Sequence, residues 1–224
     1  PATIPLWVAA IGSVVAIVVV KQFFGGIGQN FVNPALVGRI VLMASFPTMM
    51  STWVQPFAWR GVQVVTTASP LASISSMFTA GDVSAAATAS NPALPSLWQM
   101  LIGQRQGSLG EVCALALLLG FAYLLIRRVI TPVIPLTYIG TVAVIMLIAG
   151  KGSLSFVAYE ILGGGLLLGA IFMATDYTTS PINFKGKLIY GVGCGILTAL
   201  IRLFGSLPEG VSFSIIIMNI LVPH

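Results

Sequence analysis

Hydrophobic residues in this chain come in long blocks separated by short polar breaks. Seven blocks, at about 5–23, 34–50, 110–128, 132–150, 153–175, 187–204 and 209–223, are apolar almost throughout. A helix needs roughly 20 predominantly apolar residues to cross a hydrocarbon layer, with about 17 as the lower limit. The blocks come close to that length, although several are short or interrupted by Pro or Gly. In lipid, such breaks persist only where protein or a lined cavity satisfies the freed backbone groups. The pattern therefore predicts an all-α, polytopic bundle of about seven membrane helices around something polar. The whole of 1–224 reads as one integral membrane domain, with 51–108 as a long loop region between the second and third spans.

Composition agrees. The chain is 57% hydrophobic and 7% charged, with a mean hydropathy of +1.03. A soluble domain carries about 25% charged residues, so this surface is too poor in charge to hold the chain in water. The net charge of +5 does not imply a nucleic-acid partner, because the Lys and Arg are scattered beside apolar runs, as topology determinants are. If Arg127 and Arg128 face the cytoplasm, alternation places Lys21, Lys185 and Lys187 with them. Lys151 and Arg202 fall on the opposite side, a short-loop tally of five against two. The 51–108 segment then faces outward. The chain starts at Pro1 with no basic signal-peptide region, and the expectation is that it begins inside a longer polypeptide.

Ionisable groups within apolar blocks are expensive and are functional candidates by default. Glu160, in "VAYEILGGG", and Asp176, in "MATDYTTSPINFKGK", are surrounded by apolar and hydroxyl residues. An intramembrane ion pair or a cation path accounts for either. Glu111, in "GSLGEVC", reads as an acid at a helix N-terminus, where the dipole favours it. Arg39 reads as a cation snorkelling to the interface.

Gly165 and Gly169, like Gly191 and Gly195, are small-xxx-small pairs suited to close helix packing. The run Gly163, Gly164, Gly165 either serves packing or unwinds a helix at a binding site. Cys113 and Cys194 read as small buried hydrophobes or as ligands of a cluster shared with another subunit. "GGIGQN" at 25–30 reads as a helix end and turn, with Asn33-Pro34 starting the next helix. His224 is the sole histidine, so no Ser-His-Asp triad forms within the chain, and no HExxH or CxxC metal spacing occurs.

Within the outward segment, "VVTTASPLA" at 64–72 gathers hydroxyls before a proline. Together with "FGGIGQNFVNPALVGR", "GSLGEVCALALLLGFAYLLIRR", "IPLTYIGTVAV", "FMATDYTTSP" and "LIRLFGSLPEGVSF" followed by "MNILVP", it closely resembles the D subunits of Rnf complexes. These are ion-translocating ferredoxin:NAD oxidoreductases, and their D subunits are related to the B subunits of sodium-pumping NADH:quinone reductases. The resemblance runs in order along almost the whole chain.

It implies the C-terminal part of a ten-helix inverted-repeat bundle of urea-channel type, in a prokaryotic cell membrane. It further implies FMN joined by a phosphoester to a hydroxyl before Pro-Leu. Thr66, Thr67, Ala68, Ser69, Pro70 and Leu71 fall on that motif, with Ser69 at the attachment position. Ser stands where the family has Thr, and Gln63 stands at an acidic position; serine forms the same ester. Thr88, at the end of "DVSAAAT", is the second candidate.

Implied partners are the A, B, C, E and G proteins of the Rnf complex, a flavin transferase during maturation, and membrane lipid. Riboflavin is a further candidate cofactor, and Na⁺ or H⁺ the candidate ion, with Asp176 and Glu160 as its path. A non-redox solute channel on the same scaffold and a passive assembly component are the competing readings.

Overall fold

The computed structural model describes residues 1–54, 66–67, 70–79, 94–205 and 210–222. Each apolar block contains helix. Helix α1 (Leu6–Val14) continues as a wider π-helical stretch, Val15–Gln22. A turn with Gly25, Gly26 and Gly28 at φ of 107°, 94° and 85° follows, in keeping with the glycine pattern there. Asn33 then caps α2 (Pro34–Ser45): its Oδ1 accepts from the N–H groups of Ala35 and Leu36 at 3.1 and 3.3 Å, and Pro34 occupies the first helical position.

A short α3 (Pro47–Met50) leads to β1 (Trp53–Val54), which pairs antiparallel with β2 (Thr66–Thr67), Trp53 opposite Thr67 and Val54 opposite Thr66. This two-residue ribbon is the one departure from an all-α chain among the described residues. After it come α4 (Pro70–Thr79) and α5 (Leu97–Ile102). The segment read as a long loop thus carries structure of its own. Ser96 starts α5 with a capping box, its Oγ accepting from Gln99 N–H while Gln99 Oε1 accepts from Ser96 N–H.

The remaining helices are α6 (Ala114–Ile126), α7 (Val133–Ala149), α8 (Leu154–Leu162), α9 (Leu166–Leu168, continuing as a π-helical turn over Gly169–Met173), α10 (Phe184–Phe204) and α11 (Val211–Leu221). Helices α7 and α10 make the most extensive pairing. Glycine is what lets them close: a Cβ on Gly195 would lie 2.5 Å from Thr141 Cβ, and one on Gly191 would strike Thr137 Oγ1. Thr137 and Thr141 satisfy their hydroxyls on carbonyls of their own helix, Val133 O and Thr137 O, both at 2.7 Å. Tyr138 Oη and Thr198 Oγ1 bond across the same seam at 2.6 Å.

Several charged and amide side chains are buried beside the apolar core, while many large apolar side chains face out. Glu111, Glu160, Arg105, Arg202 and Asn219 are each at most 4% exposed, whereas Leu6, Ile126 and Phe204 are 80% or more exposed. That inversion suits lipid or partner protein, since water penalises an apolar exterior of this extent. Among the described residues, Phe184–Phe204 is the one unbroken helix of at least 18 residues and sufficient hydropathy to cross a membrane. Leu154–Leu162 and Leu166–Met173 pass jointly but are bent by 64°. Five further apolar helices, from Leu6–Gln22 to Val211–Leu221, are shorter. The blocks were legible; their helices are shorter than the blocks because Gly, Pro and polar residues at the ends stay outside the regular hydrogen-bond ladder.

Candidate functional site at the helix break

The glycine run resolves as an interruption. Helix α8 closes with Gly163 N–H on Tyr159 O at 2.7 Å, and Gly163 turns extended at φ −76°, ψ 151°. Gly164 takes φ +58°, in the left-handed region that favours glycine. Gly165, at φ −89° and ψ 16°, precedes α9. Unwinding, not packing alone, is the use of these three residues. A helix broken inside an apolar bundle leaves backbone groups that need partners.

Arg105 supplies some of them. Although it lies in the segment after α5, its side chain is 4% exposed. Its Nη2 donates to Glu111 O at 2.6 Å and to Gly164 O at 3.3 Å, while Nε donates to Val112 O at 3.0 Å. One guanidinium therefore ties the approach to α6 onto the break.

Glu111 departs from its expected role. Helix α6 starts only at Ala114, with Cys113 at the cap position, so Glu111 is not in its first turn. The carboxylate closes its own loop, Oε1 accepting from Ser108 N–H at 2.8 Å. The other oxygen, Oε2, is buried without a hydrogen-bond partner among the described residues. It points at Gly165, where an added Cβ would lie 3.0 Å from Oε2 and 3.7 Å from Arg39 Nη1. Arg39 thus reaches the break from α2 instead of ending at the interface. The sequence contained all three charged residues; what it lacked was the chain path that brings 39, 105, 111 and 165 to one point.

Of the residues matched to the flavin motif, Leu71 approaches the same place. Thr66 and Thr67 lie in β2, and Pro70 opens α4. Leu71 is 2% exposed, and its Cδ1 would be 3.3 Å from a Cβ on Gly163. Phe78 stacks on Phe156 of α8, with ring centroids 5.8 Å apart. Helix α4 is therefore packed on the helix that breaks. Ala68, Ser69 and Thr88 lie outside the described residues.

Of the two ion-path candidates, Glu160 has a strong partner. Arg202 Nη1, from α10, donates to Glu160 Oε2 at 2.9 Å and to Glu160 O at 2.6 Å. The ion-pair alternative for Glu160 is thus what the structure contains. Sequence alone puts Arg202 near a helix end; a lone cation and a lone carboxylate in two apolar blocks were the available signal.

Asp176 is half-buried, and its Oδ2 accepts from Thr178 and Thr179 hydroxyls at 3.0 and 3.3 Å. Asn30 Nδ2 donates to Thr178 Oγ1 at 3.0 Å, and Asn33 Nδ2 donates to Met173 O at 3.3 Å. Two loops distant in sequence are joined there. With its amide nitrogen facing Tyr190 Oη and Ile215 O, Asn219 accepts from Asn33 N–H at 3.2 Å and extends the network into α10 and α11. No hydrogen bond or ion pair among the described residues joins Asp176 to Glu160. A cavity of about 700 Å³ opens beside the Asp176 turn, lined by Tyr177, Ser180, Asn183, Lys185 and Tyr190 among others.

Cys194 is buried, and Cys113, partly buried, contacts Leu101 O through Sγ at 3.7 Å. Among the described residues no three His, Cys, Asp or Glu side chains gather as a metal site.

Known proteins share this chain's pattern throughout. It is 44% identical over its full length to the D subunit of the Na⁺-translocating ferredoxin:NAD⁺ oxidoreductase complex of Acetobacterium woodii, covering 65% of that protein. It is 40% identical to the D subunit of the proton-translocating ferredoxin:NAD⁺ oxidoreductase complex of Clostridium ljungdahlii, covering 67% of it. It is 35% identical to the B subunit of the Na⁺-translocating NADH-quinone reductase of Chromohalobacter salexigens, covering 53% of it. The chain thus spans about two thirds of the two ferredoxin:NAD⁺ oxidoreductase relatives and about half of the quinone reductase relative. With a family model matched over residues 1–224, the chain belongs to the NQR2, RnfD, RnfE family.

Proposed function

We propose that this chain is a membrane-spanning part of an ion-translocating ferredoxin:NAD oxidoreductase complex of a prokaryotic cell membrane. In that reading its seven apolar segments are the C-terminal spans of a ten-helix inverted-repeat bundle, and residues 51–108 face outward. FMN is carried as a phosphoester on Ser69, with Thr88 as the competing position. When bound, the flavin supplies one- and two-electron chemistry; the protein supplies placement and electrostatics. The A, B, C, E and G proteins of the complex are the expected partners, with a flavin transferase acting in maturation and lipid around the bundle. Riboflavin is a second flavin to look for.

One observation carries the reading: Leu71, two residues after the attachment hydroxyl in sequence, is packed against a broken helix beside buried charges in an otherwise apolar bundle. The donor set also suits the cofactor. Pro70 opens α4, and a helix N-terminus favours a phosphate ester on the residue before it. Arginines 39 and 105 add positive charge at the break beside Leu71. An electron carrier and a cation path placed close together couple through charge, because adding negative charge in low dielectric draws a compensating cation. The ion is Na⁺ or H⁺; relatives of both designations share this chain's pattern.

Ultraviolet in-gel fluorescence of the denatured chain, produced beside an active flavin transferase, tests the proposal. A fluorescent band that is lost in Ser69→Ala and kept in Thr88→Ala is the expected result. Retention in Ser69→Ala with loss in Thr88→Ala moves the bond to Thr88. Absence of the band from the unaltered chain favours a solute channel or a passive assembly component.

A further inference from the structure

Glu111 is the buried acid for which the fold gives half an explanation. Oε1 is used in closing the 108–111 turn. Oε2 is enclosed, accepts no hydrogen bond from the described residues, and faces the α-carbon of Gly165 in the broken segment. Burying an acceptor without a donor is costly, and more so for a carboxylate. A chain that needed only the loop closure could meet it with an uncharged amide.

Two further observations bear on what Oε2 meets. Gly165 adopts φ −89°, which any residue tolerates, so backbone strain does not require glycine there. What glycine provides is the lack of a Cβ between Oε2 and Arg39 Nη1; one placed there would lie 3.0 Å from the first and 3.7 Å from the second. Among the described residues, charged groups reach this point from three elements. Arg39 comes from α2, Arg105 from the segment after α5, holding Glu111 O and Gly164 O, and Glu111 itself precedes α6.

We infer that Glu111 Oε2, beside the broken backbone at Gly163–Gly165, is a seat for a monovalent cation, and that Arg39 is the fixed countercharge this cation competes with across Gly165. The inference rests on the ion-translocating reading above and names its coupling carboxylate.

A single carboxylate matches a monovalent charge, whereas Ca²⁺ or Mg²⁺ sites draw on more oxygen ligands or on bound phosphates. A resident guanidinium nearby keeps the carboxylate compensated when the cation leaves. Its repulsion also keeps the cation from binding too tightly to be released. As H⁺ the cation forms an O–H bond on Oε2 and leaves it again as H⁺; as Na⁺ it coordinates the oxygen without bond making. No electron is exchanged at this point. Leu71 packs against Gly163, two residues from the seat, so a change of charge on the attached group would be felt there electrostatically. Among the described residues, Glu111 Oε2 is the one buried carboxylate oxygen without a hydrogen-bond partner, whereas Glu160 Oε2 is held by Arg202 and Asp176 Oδ2 by two hydroxyls.

The experiment uses the complete complex in proteoliposomes and measures ferredoxin-driven uptake of radioactive sodium and, in sodium-free buffer, internal acidification by a pH-sensitive dye. Equilibrium sodium binding to the solubilised complex and its carboxylic-acid infrared band are recorded alongside. In-gel flavin fluorescence checks assembly. Glu111→Gln is expected to reduce ions moved per electron by about tenfold or more, as loss of a charged ligand does. Gly165→Ala keeps the carboxylate but fills the seat, and should weaken cation dependence by a similar factor. Arg39→Gln, which removes the competing charge, should tighten sodium binding.

Loss of sodium uptake alone identifies Na⁺; loss of acidification together with the infrared band identifies H⁺. Unaltered coupling in both Glu111→Gln and Gly165→Ala overturns the seat. Should Glu111→Gln fail to assemble, unchanged cation dependence in Gly165→Ala overturns it by itself. A wild-type complex that moves no ion on electron transfer removes the underlying functional reading instead.

Discussion

Replacing Arg202 by Met should be among the most damaging single changes available in α10. Arg202 and Glu160 are each 4% exposed, and Nη1 makes two hydrogen bonds to Glu160, 2.9 Å to the carboxylate and 2.6 Å to the carbonyl. Methionine fills much of the same volume, so the lost packing is small. Two electrostatic effects remain. Hydrogen bonds between membrane helices average only about 0.6 kcal/mol in double-mutant cycles. Leaving one charge of a buried pair uncompensated costs roughly 3–5 kcal/mol. The second effect dominates, so Arg202→Met should destabilise the chain by about 3–5 kcal/mol. Its rescue is the sharper expectation. In Glu160→Leu with Arg202→Met the isolated charge is gone, and the double variant should return to within about 1 kcal/mol of the parent, as apolar replacements of buried pairs often do. Reversible unfolding in mixed micelles of increasing sodium dodecyl sulfate, followed by tryptophan fluorescence, measures all four corners of the cycle. If Arg202→Met alone lies within about 1 kcal/mol of the parent, the pair is solvated and its low exposure has been misread.

Two further outcomes follow from the loops. Asn33→Ala removes the two cap contacts of α2 and the donor to Met173 O, and should cost about 1–2 kcal/mol, read in the same micelle titration; a neutral result would mean that solvent replaces the cap. Asp176→Asn retains most of the hydroxyl contacts but removes the charge beside the cavity, so the sodium or proton concentration for half-maximal turnover should rise about tenfold with covalent flavin content unchanged, and an unaltered ion dependence would leave Asp176 as the cap of its own turn.

Where the sequence succeeded, the controlling physics was local or solvent-driven. A backbone with no water to bond must satisfy itself within a helix, so blocks of apolar residues announced helices without any knowledge of their neighbours. The turn at 25–28 and the start of α2 were equally readable, because glycine conformation, proline geometry and a capping amide act within a few residues. Motif order along the chain was enough to place it in its family.

Tertiary structure decided what the charges do. Glu160 could have faced a path or a partner, and only the packing of α8 and α10 on α7 put Arg202 beside it, 42 residues away. Three adjacent glycines were compatible with packing or with unwinding, and the left-handed Gly164, its carbonyl held by Arg105, makes them a break. Glu111 reads as a helix cap because sequence shows an acid before an apolar block, but the helix starts three residues later and the acid turns inward. A long side chain in a low-dielectric interior is placed by whichever opposite charge or free carbonyl the packed helices bring within about 3 Å. That distance is a property of the assembled bundle, and no local pattern encodes it.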